Sequence, residues 1–360
     1  MKIALVILHA DPSRGGAERY THDLGAALAT AGHDAAILAD TFAEAQAGVN
    51  QIELDSRALT RSGRYGRFLD SLDAHLGATR YDIVHAMLPV RQCDVYHPHA
   101  GLAAAAFGGA RRKMSAIFNP RRLRFAAVER SLIIGASPPV VLCLSEYVKR
   151  AVAQRYASAD LAALFNAVDL SRFEPAPRRE GNNVNGLFVG QDFHRKGLSS
   201  ALSGLKNCED RRLRLTVVGK PDPSPYRQWA SRNGILDRIT FAGPARDTRP
   251  FYRDADFLVL PTRHDPCSLV VLEALAMGIP VISTTFNGAC EIMTNGVHGF
   301  VLDDPDDIDA LADAMRRMLD PELRARMSRA CLALRPKLSY EHHLATLLLI
   351  YQRIIANRNV

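Results

Sequence analysis

Two carboxylates, Asp265 and Glu273, stand eight positions apart in HDPCSLVVLEALAMGIPVIST, the stretch from His264 to Thr284. Asp265 lies on a proline-containing loop, and Glu273 lies within an apolar helical run. Gly278 and Pro280 stop that helix, and Val281-Ile282-Ser283-Thr284 reads as the next strand. The helical neighbours of Glu273 at three and four positions, Leu269, Val270, Ala276 and Met277, are all apolar. A charge there is at least partly buried, and a buried carboxylate needs partners. Helical side chains lean toward the helix N-terminus, so Glu273 is expected to point back toward the Asp265 loop. Free backbone N–H groups at that helix start favour an anion. Two carboxylates around such a site suit a ligand with hydroxyls on either side of a phosphate group, as in a nucleotide sugar.

Other residues extend this chemistry. Arg195-Lys196-Gly197 follows the loop Gln191-Asp192-Phe193-His194, which itself follows a strand-like run ending at Gly190. Two cations at a strand's carboxyl end can neutralise a diphosphate, with Arg binding its oxygens bidentately. Taken alone they read as an exposed charged loop; their place in the same half as Asp265 and Glu273 favours the diphosphate. Gly15-Gly16 opens a helix after the first strand, either as an anion-binding turn or simply as a tight turn. His97-Pro98-His99 sets two imidazoles in an i, i+2 relation, and an extended backbone would point both to one side. No third metal ligand is evident there, so contact with a sugar or an acceptor is the expected role. Asp254-Ala255-Asp256 superficially resembles a metal-binding D-x-D, but it precedes a strand, where Asp256 is expected to fix a turn. The dinucleotide fingerprint and the Walker A loop are absent, and no Ser/His/Asp triad or Cys/His pair stands out.

The elements that must position these residues alternate between strand-like and helical patterns, which indicates an α/β protein with parallel sheets. In the first half, residues 3–8, 35–39, 83–86 and 140–144 read as strands, and 17–31, 67–76 and 146–156 as helices. A polar segment, Glu174 to Asn185, has linker composition. The second half restarts with apolar runs that end in Gly190, Gly219 and Gly243, followed by Leu258-Val259-Leu260-Pro261 and the strand from Val281. Ligands of open α/β sheets sit outside the carboxyl ends of the strands, and glycine there lets backbone approach a ligand. The expected organisation is a first domain over 1–170, a linker over 171–185, a second domain over 186–339, and a helix over 340–360 that packs back onto the first domain.

Size and composition agree with two soluble domains: 360 residues, 48% hydrophobic and 23% charged. No apolar run is long enough to span a bilayer, and the N-terminal KIALVIL is expected to be a first strand rather than a signal peptide. Six scattered cysteines (93, 143, 208, 267, 290 and 331) argue against a disulfide framework or a zinc site and for the cytoplasm. The net charge of +7 is concentrated, with ten Lys/Arg against two acids between Ala105 and Ala157. Mixed with Phe107, Ile117, Phe118 and Phe125, that basic stretch suits an anionic membrane surface or an anionic acceptor, or else a solvated helix pair. No nucleic-acid motif accompanies the charge.

Several segments together resemble a retaining glycosyltransferase of family 4, within it most the lipopolysaccharide-core glucosyltransferase. They are GGAERYTHDLGAALATAGH, CDVYHPHAG, FNAVDLSRF, LFVGQDFHRKG, TVVGK, ITFAGPARD, FYRDADFLVLP and DPCSLVVLEALAMGIPVIST. The resemblance implies the GT-B fold: two Rossmann-like α/β domains facing a central cleft, the first for the acceptor and the second for the nucleotide sugar. It implies that Glu273, the last acid of the family's E-x7-E motif, binds the nucleotide ribose, and that Asp265, the first acid, contacts the transferred sugar. Arg195 and Lys196 would hold the diphosphate, Gly15 and Gly16 would lie near donor phosphate and acceptor, and the backbone of Leu269 and Val270 would cap the β-phosphate. Gly190, Gly219 and Ser268 would complete the donor pocket, and His99 would touch the sugar 6-hydroxyl. Asp265 stands where the family has Glu, Ser268 where glycine is common, and His97, His99 and Ala100 where the core glucosyltransferases carry an acid close by.

The implied reaction is transfer of a hexose, with glucose the expected one, from a UDP-sugar to a saccharide or lipid-linked acceptor, with retention and no metal. Lipopolysaccharide core or a related envelope glycan is the implied acceptor, and the inner face of the cytoplasmic membrane the implied place. Another donor sugar or nucleotide, a nucleotide-sugar epimerase, and a non-catalytic binding protein are the alternatives.

Overall fold

The computed structural model describes residues 1–99, 101–103, 120–176 and 181–358. The chain divides into two compact units, Met1–Phe165 with Tyr340–Val360, and Asn166–Ser339. The boundary therefore falls at Phe165, ahead of the expected linker over 171–185, and the second unit's first strand already begins at Val184. Val168 explains the shift: it pairs with Ser339 in an isolated bridge and is buried, so the residues after Phe165 already belong to the second unit.

In the first unit, β1 (Lys2–Val6), β3 (Asp34–Ala39), β5 (Val49–Glu53), β6 (Ile83–Ala86), β7 (Val95–Tyr96), β8 (Val140–Cys143) and β9 (Leu161–Ala163) form one parallel sheet. Its order is β5-β3-β1-β6-β7-β8-β9. Two-residue strands β2 (His9–Ala10) and β4 (Thr41–Phe42) pair beside it. The helix Gly16–Thr30 and the C-terminal helix Tyr340–Arg358 pack on one core through Tyr20, Leu24, Leu28, Leu344, Leu347 and Tyr351. The helix Arg61–Ala78 packs on another through Tyr65, Phe68, Leu69 and Leu72. It starts earlier than its apolar pattern indicated, because the Thr60 hydroxyl caps it by accepting from Gly63 N at 3.0 Å.

In the second unit, β10 (Val184–Val189), β11 (Leu213–Val218), β12 (Ile239–Gly243), β13 (Phe257–Leu260), β14 (Val281–Thr284) and β15 (Gly299–Leu302) are also parallel. Their order is β12-β11-β10-β13-β14-β15. The direction of winding reverses between β10 and β13, which is the topological switch point of a doubly wound sheet. Strand β13 is buried along its whole length, as expected for a strand covered on both faces. The helix Leu269–Ala276 ends where predicted, with Gly278 at φ +71° and Ile279 N donating to Ala274 O at 2.9 Å.

Asp256 accepts from Asn185 N at 2.8 Å and its own N–H donates to Asn185 O at 2.8 Å, so it ties the start of β10 to the start of β13 rather than fixing a local turn. Phe125 is half-buried: one contact is with Tyr65, ring centroids 4.1 Å apart, and another is with the Arg121 guanidinium, 5.2 Å from its ring centre, so it joins the core edge to the basic stretch. Its companions Phe107, Ile117 and Phe118, with Arg111, Arg112 and Lys113, lie outside the described residues.

Candidate active site

The loops that leave β10 and β13 meet at the switch point of the second sheet. The first carries Arg195 and Lys196, the second Asp265 and Ser268. Lys196 donates from Nζ to Asp265 Oδ2, and the same nitrogen is 3.4 Å from Ser268 Oγ. Arg195 donates to His264 O at 2.7 Å and comes within 3.9 Å of Asp265 Oδ2. Lys196, Asp265 and Ser268 are all buried. Gly197 makes this meeting possible: it sits at φ +82°, and a Cβ there would fall 2.0 Å from Pro261 O. The loops are further joined by Arg263 N, which donates to Arg195 O at 2.9 Å, and by the Thr262 hydroxyl, which donates to the same oxygen at 3.1 Å.

Ser268 caps the helix Leu269–Ala276 with its backbone, and its side chain makes no capping bond. Its carbonyl accepts from Val271 N and Leu272 N, at 3.1 and 3.3 Å. Among the described residues, the N–H groups of Leu269 and Val270 have no hydrogen-bond partner. The helix start with its two free N–H groups thus lies beside the loop of Lys196, whose Nζ is 3.4 Å from Ser268 Oγ, and a helix N-terminus with free donors favours an anion. Asn287 holds the loop in place: its Oδ1 accepts from Ser268 N at 3.3 Å and Ala289 N at 3.2 Å, and its Nδ2 donates to Ser283 Oγ at 3.2 Å.

Glu273 is half-buried, as its apolar neighbours required. Its Oε2 accepts from the Tyr252 hydroxyl at 2.7 Å, and that hydroxyl also lies 3.3 Å from Val270 O. Gly190 and Gly219 are side by side: a Cβ on Gly219 would lie 2.1 Å from Gly190 O and 2.6 Å from the Phe193 ring. The absence of a side chain at Gly219 therefore serves the packing of the two strand ends, whereas a Cβ on Gly190 would approach the Lys196 side chain at 3.2 Å. Asn166, in the FNAVDL segment, is buried next to this loop, donates to Cys267 O at 3.3 Å, and has an Oδ1 without a partner.

In the first unit, Gly15 precedes the helix Gly16–Thr30 in an extended conformation. Glu18, in that helix's first turn, folds back over it, with Oε2 2.9 Å from where a Gly15 Cβ would stand. His97 and His99 do share one side, their ring centroids 4.1 Å apart. His97 is fully buried and both Nε2 atoms are buried without a hydrogen-bond partner. Burial and the neighbouring imidazoles push both rings well below the usual histidine range, so they are neutral. His85 and His343 complete the group, lowered by burial to about 3 and about 4. Neither was singled out by sequence: His85 lies inside an apolar strand and His343 on a distant helix. Among the described residues, no group of three or more His, Cys, Asp or Glu is arranged to hold a metal. All six cysteines are free.

Comparison with known proteins agrees with this architecture. Residues 14–172 match the model of "Glycosyltransferase Family 4", and residues 184–321 match that of "Glycosyl transferases group 1". A D-inositol 3-phosphate glycosyltransferase from Acidothermus cellulolyticus is 30% identical over 213 residues, 54% of this chain and 47% of that protein. The lipopolysaccharide glucosyltransferase WaaG of Escherichia coli is 27% identical over 136 residues, 37% of this chain and 36% of that protein. The matched segments thus span half or less of these relatives' length. Among solved structures, WaaG, a glycosyltransferase involved in lipopolysaccharide biosynthesis, superimposes with a TM-score of 0.78 at 20% identity, covering 93% of this chain and 95% of its own. Anabaena HepE in complex with UDP-glucose gives 0.72 at 18% identity, covering 100% and 99%. These last two are likenesses of fold. The two family matches together cover most of both units, and the chain belongs to the family 4, group 1 glycosyltransferases, with the GT-B fold of two Rossmann-like domains.

Proposed function

We propose that this protein is a retaining hexosyltransferase that takes glucose from UDP-glucose. The observation that carries the reading is the anion position in the second unit, where the free N–H groups of Leu269 and Val270 stand with Lys196 and Arg195. As the glycosidic C–O bond breaks, negative charge builds on the leaving diphosphate, and fixed donors there stabilise it without reorganising. This supply of positive charge lets the reaction proceed without a metal. The leaving phosphate then takes the proton of the acceptor hydroxyl, so no separate base is required. Glu273, held by Tyr252, binds the ribose hydroxyls, and Asp265 orients the sugar from its pairing with Lys196. Gly15, Gly16 and His99 of the first unit serve the sugar and the acceptor.

The HepE complex supports UDP-glucose as donor, and WaaG supports a saccharide or glycolipid acceptor such as lipopolysaccharide core. No helix among the described residues is long and apolar enough to cross a membrane. The basic helices Pro120–Ile133 and Glu146–Arg155 favour peripheral attachment to an anionic inner membrane face. The test is a thermal-shift screen against UDP, GDP and ADP sugars, followed by transfer assays with the best donor. UDP-glucose should stabilise the protein most and be consumed only with acceptor. Acceptor-independent conversion of the donor would show an epimerase, and binding without turnover a non-catalytic protein.

A further inference from the structure

The C-terminal helix Tyr340–Arg358 reaches the imidazole group of the first unit at two points. Tyr351, fully buried, has its hydroxyl 2.6 Å from His85 Nδ1, and His85 Nε2 is 3.2 Å from His97 Nδ1. His343 Nδ1 is 2.8 Å from Phe165 O, and its Nε2 is 2.7 Å from the Tyr20 hydroxyl. The rings of Tyr20 and His97 then flank His99, with centroids at 4.3 and 4.1 Å.

Hydrogen-bond direction can be assigned along both chains. A carbonyl only accepts, so His343 carries its proton on Nδ1, and its bare Nε2 accepts from the Tyr20 hydroxyl. Tyr351 has no acceptor other than His85 among the described residues. Either direction leaves one buried proton unpaired, on the Tyr351 hydroxyl or on His97 Nε2; a phenol O–H is the stronger donor and an imidazole nitrogen the stronger acceptor, so Tyr351 donates to His85 Nδ1. His85 then carries its proton on Nε2 and donates it to His97 Nδ1, which leaves His97 protonated on Nε2. Both rings beside His99 are thereby held from one helix, Tyr20 through His343 and His97, in a set tautomer, through His85 and Tyr351.

We propose that Tyr351 and His343 are positioning residues for sugar transfer: through His85–His97 and through Tyr20 they hold His99 and its unpartnered Nε2 ready for a ligand hydroxyl. This rests on the reading that His99 touches the donor sugar. The C-terminal helix is then a working part of the first unit's site as well as a cover for its core.

The experiment combines kinetics with imidazole 15N NMR on the full chain. Tyr351→Phe and Tyr20→Phe each remove one hydroxyl and keep the ring. Each should lower kcat about tenfold with donor KM within about twofold, at temperatures well below its melting point. In a His99→Ala background, neither should cause further loss. In the wild-type protein, His343 should be protonated on Nδ1, and His85 and His97 on Nε2; both Phe variants should shift the His99 resonances. Equal losses with and without His99 overturn the proposal. So does His97 protonated on Nδ1, or unmoved His99 resonances in both variants. If the wild-type protein transfers no sugar, the reading of function fails, and the NMR measurements alone decide the network.

Discussion

Lys196 offers the sharpest separation of structure from chemistry. Its side chain is 10% exposed and that of its partner Asp265 is 8% exposed, so both charges are held away from water. Lys196→Met removes one of them and leaves Asp265 with Arg195 at 3.9 Å as its nearest cation. Breaking a buried pair from one side costs about 3–5 kcal/mol. The remaining Arg195 argues for the lower end, about 3 kcal/mol. For a unit of this size, Asn166–Ser339, that corresponds to a melting point lower by roughly 6–12 °C. The double variant Lys196→Met/Asp265→Leu removes both charges at similar volume and should regain most of that loss. Transfer should behave differently. The single variant loses a donor aimed at the leaving phosphate, which lowers kcat by roughly 10²–10³, and the double variant should not recover it. Calorimetry and a coupled UDP-release assay on the two variants give both numbers. A single variant as stable as wild type, or a double variant as active as wild type, would refute the reasoning.

Gly197→Ala should destabilise the second unit by more than about 2 kcal/mol, because φ +82° and the Pro261 carbonyl both exclude a Cβ; an unchanged urea midpoint would contradict this. Tyr252→Phe removes the hydrogen bond to Glu273, worth about 1 kcal/mol, and should weaken UDP binding roughly threefold to tenfold by calorimetric titration; an unaltered Kd would remove Tyr252 from the donor site. The first unit should lose stability in acid. His85 and His343 are lowered to about 3 and about 4, so between the ordinary histidine value of about 6.5 and those values the unfolded chain binds protons that the folded chain excludes. Stability is complete above pH 6.5 and should fall as pH drops below it, by about 1.4 kcal/mol per pH unit for each of the two histidines; urea titrations at pH 7, 6 and 5 measure the slope, and a flat profile would be inconsistent with buried neutral rings. Co-sedimentation with vesicles should rise with their anionic lipid content; binding indifferent to that content would remove the membrane role of the basic helices.

The second half of the chain was the more legible. The glycine-terminated strand runs, the helix stop at Gly278 and the apolar setting of Glu273 are local signals, and they led to strands, helix and carboxylate in their observed places. The first half was read less completely. Strands β5, β7 and β9 are short or only partly buried and carry weak alternation, and the helix Pro120–Ile133 has no clear apolar face in its sequence. The unit boundary was misplaced because composition marks polar chain, whereas the boundary follows the pairing of Val168 with Ser339.

By itself the sequence determined the α/β alternation, the helix start after Ser268 and the chemical types at the candidate site, since each depends on residues close along the chain. The tertiary structure decided which of those residues meet. Lys196 pairs with Asp265 because the order of the sheet places β10 beside β13. Tyr252, Asn287 and Asn166 enter the site from segments with no motif of their own. His343 and Tyr351 join His85, His97 and Tyr20 only because the last helix returns to the first unit, and partners that far apart along the chain leave no periodic trace to read.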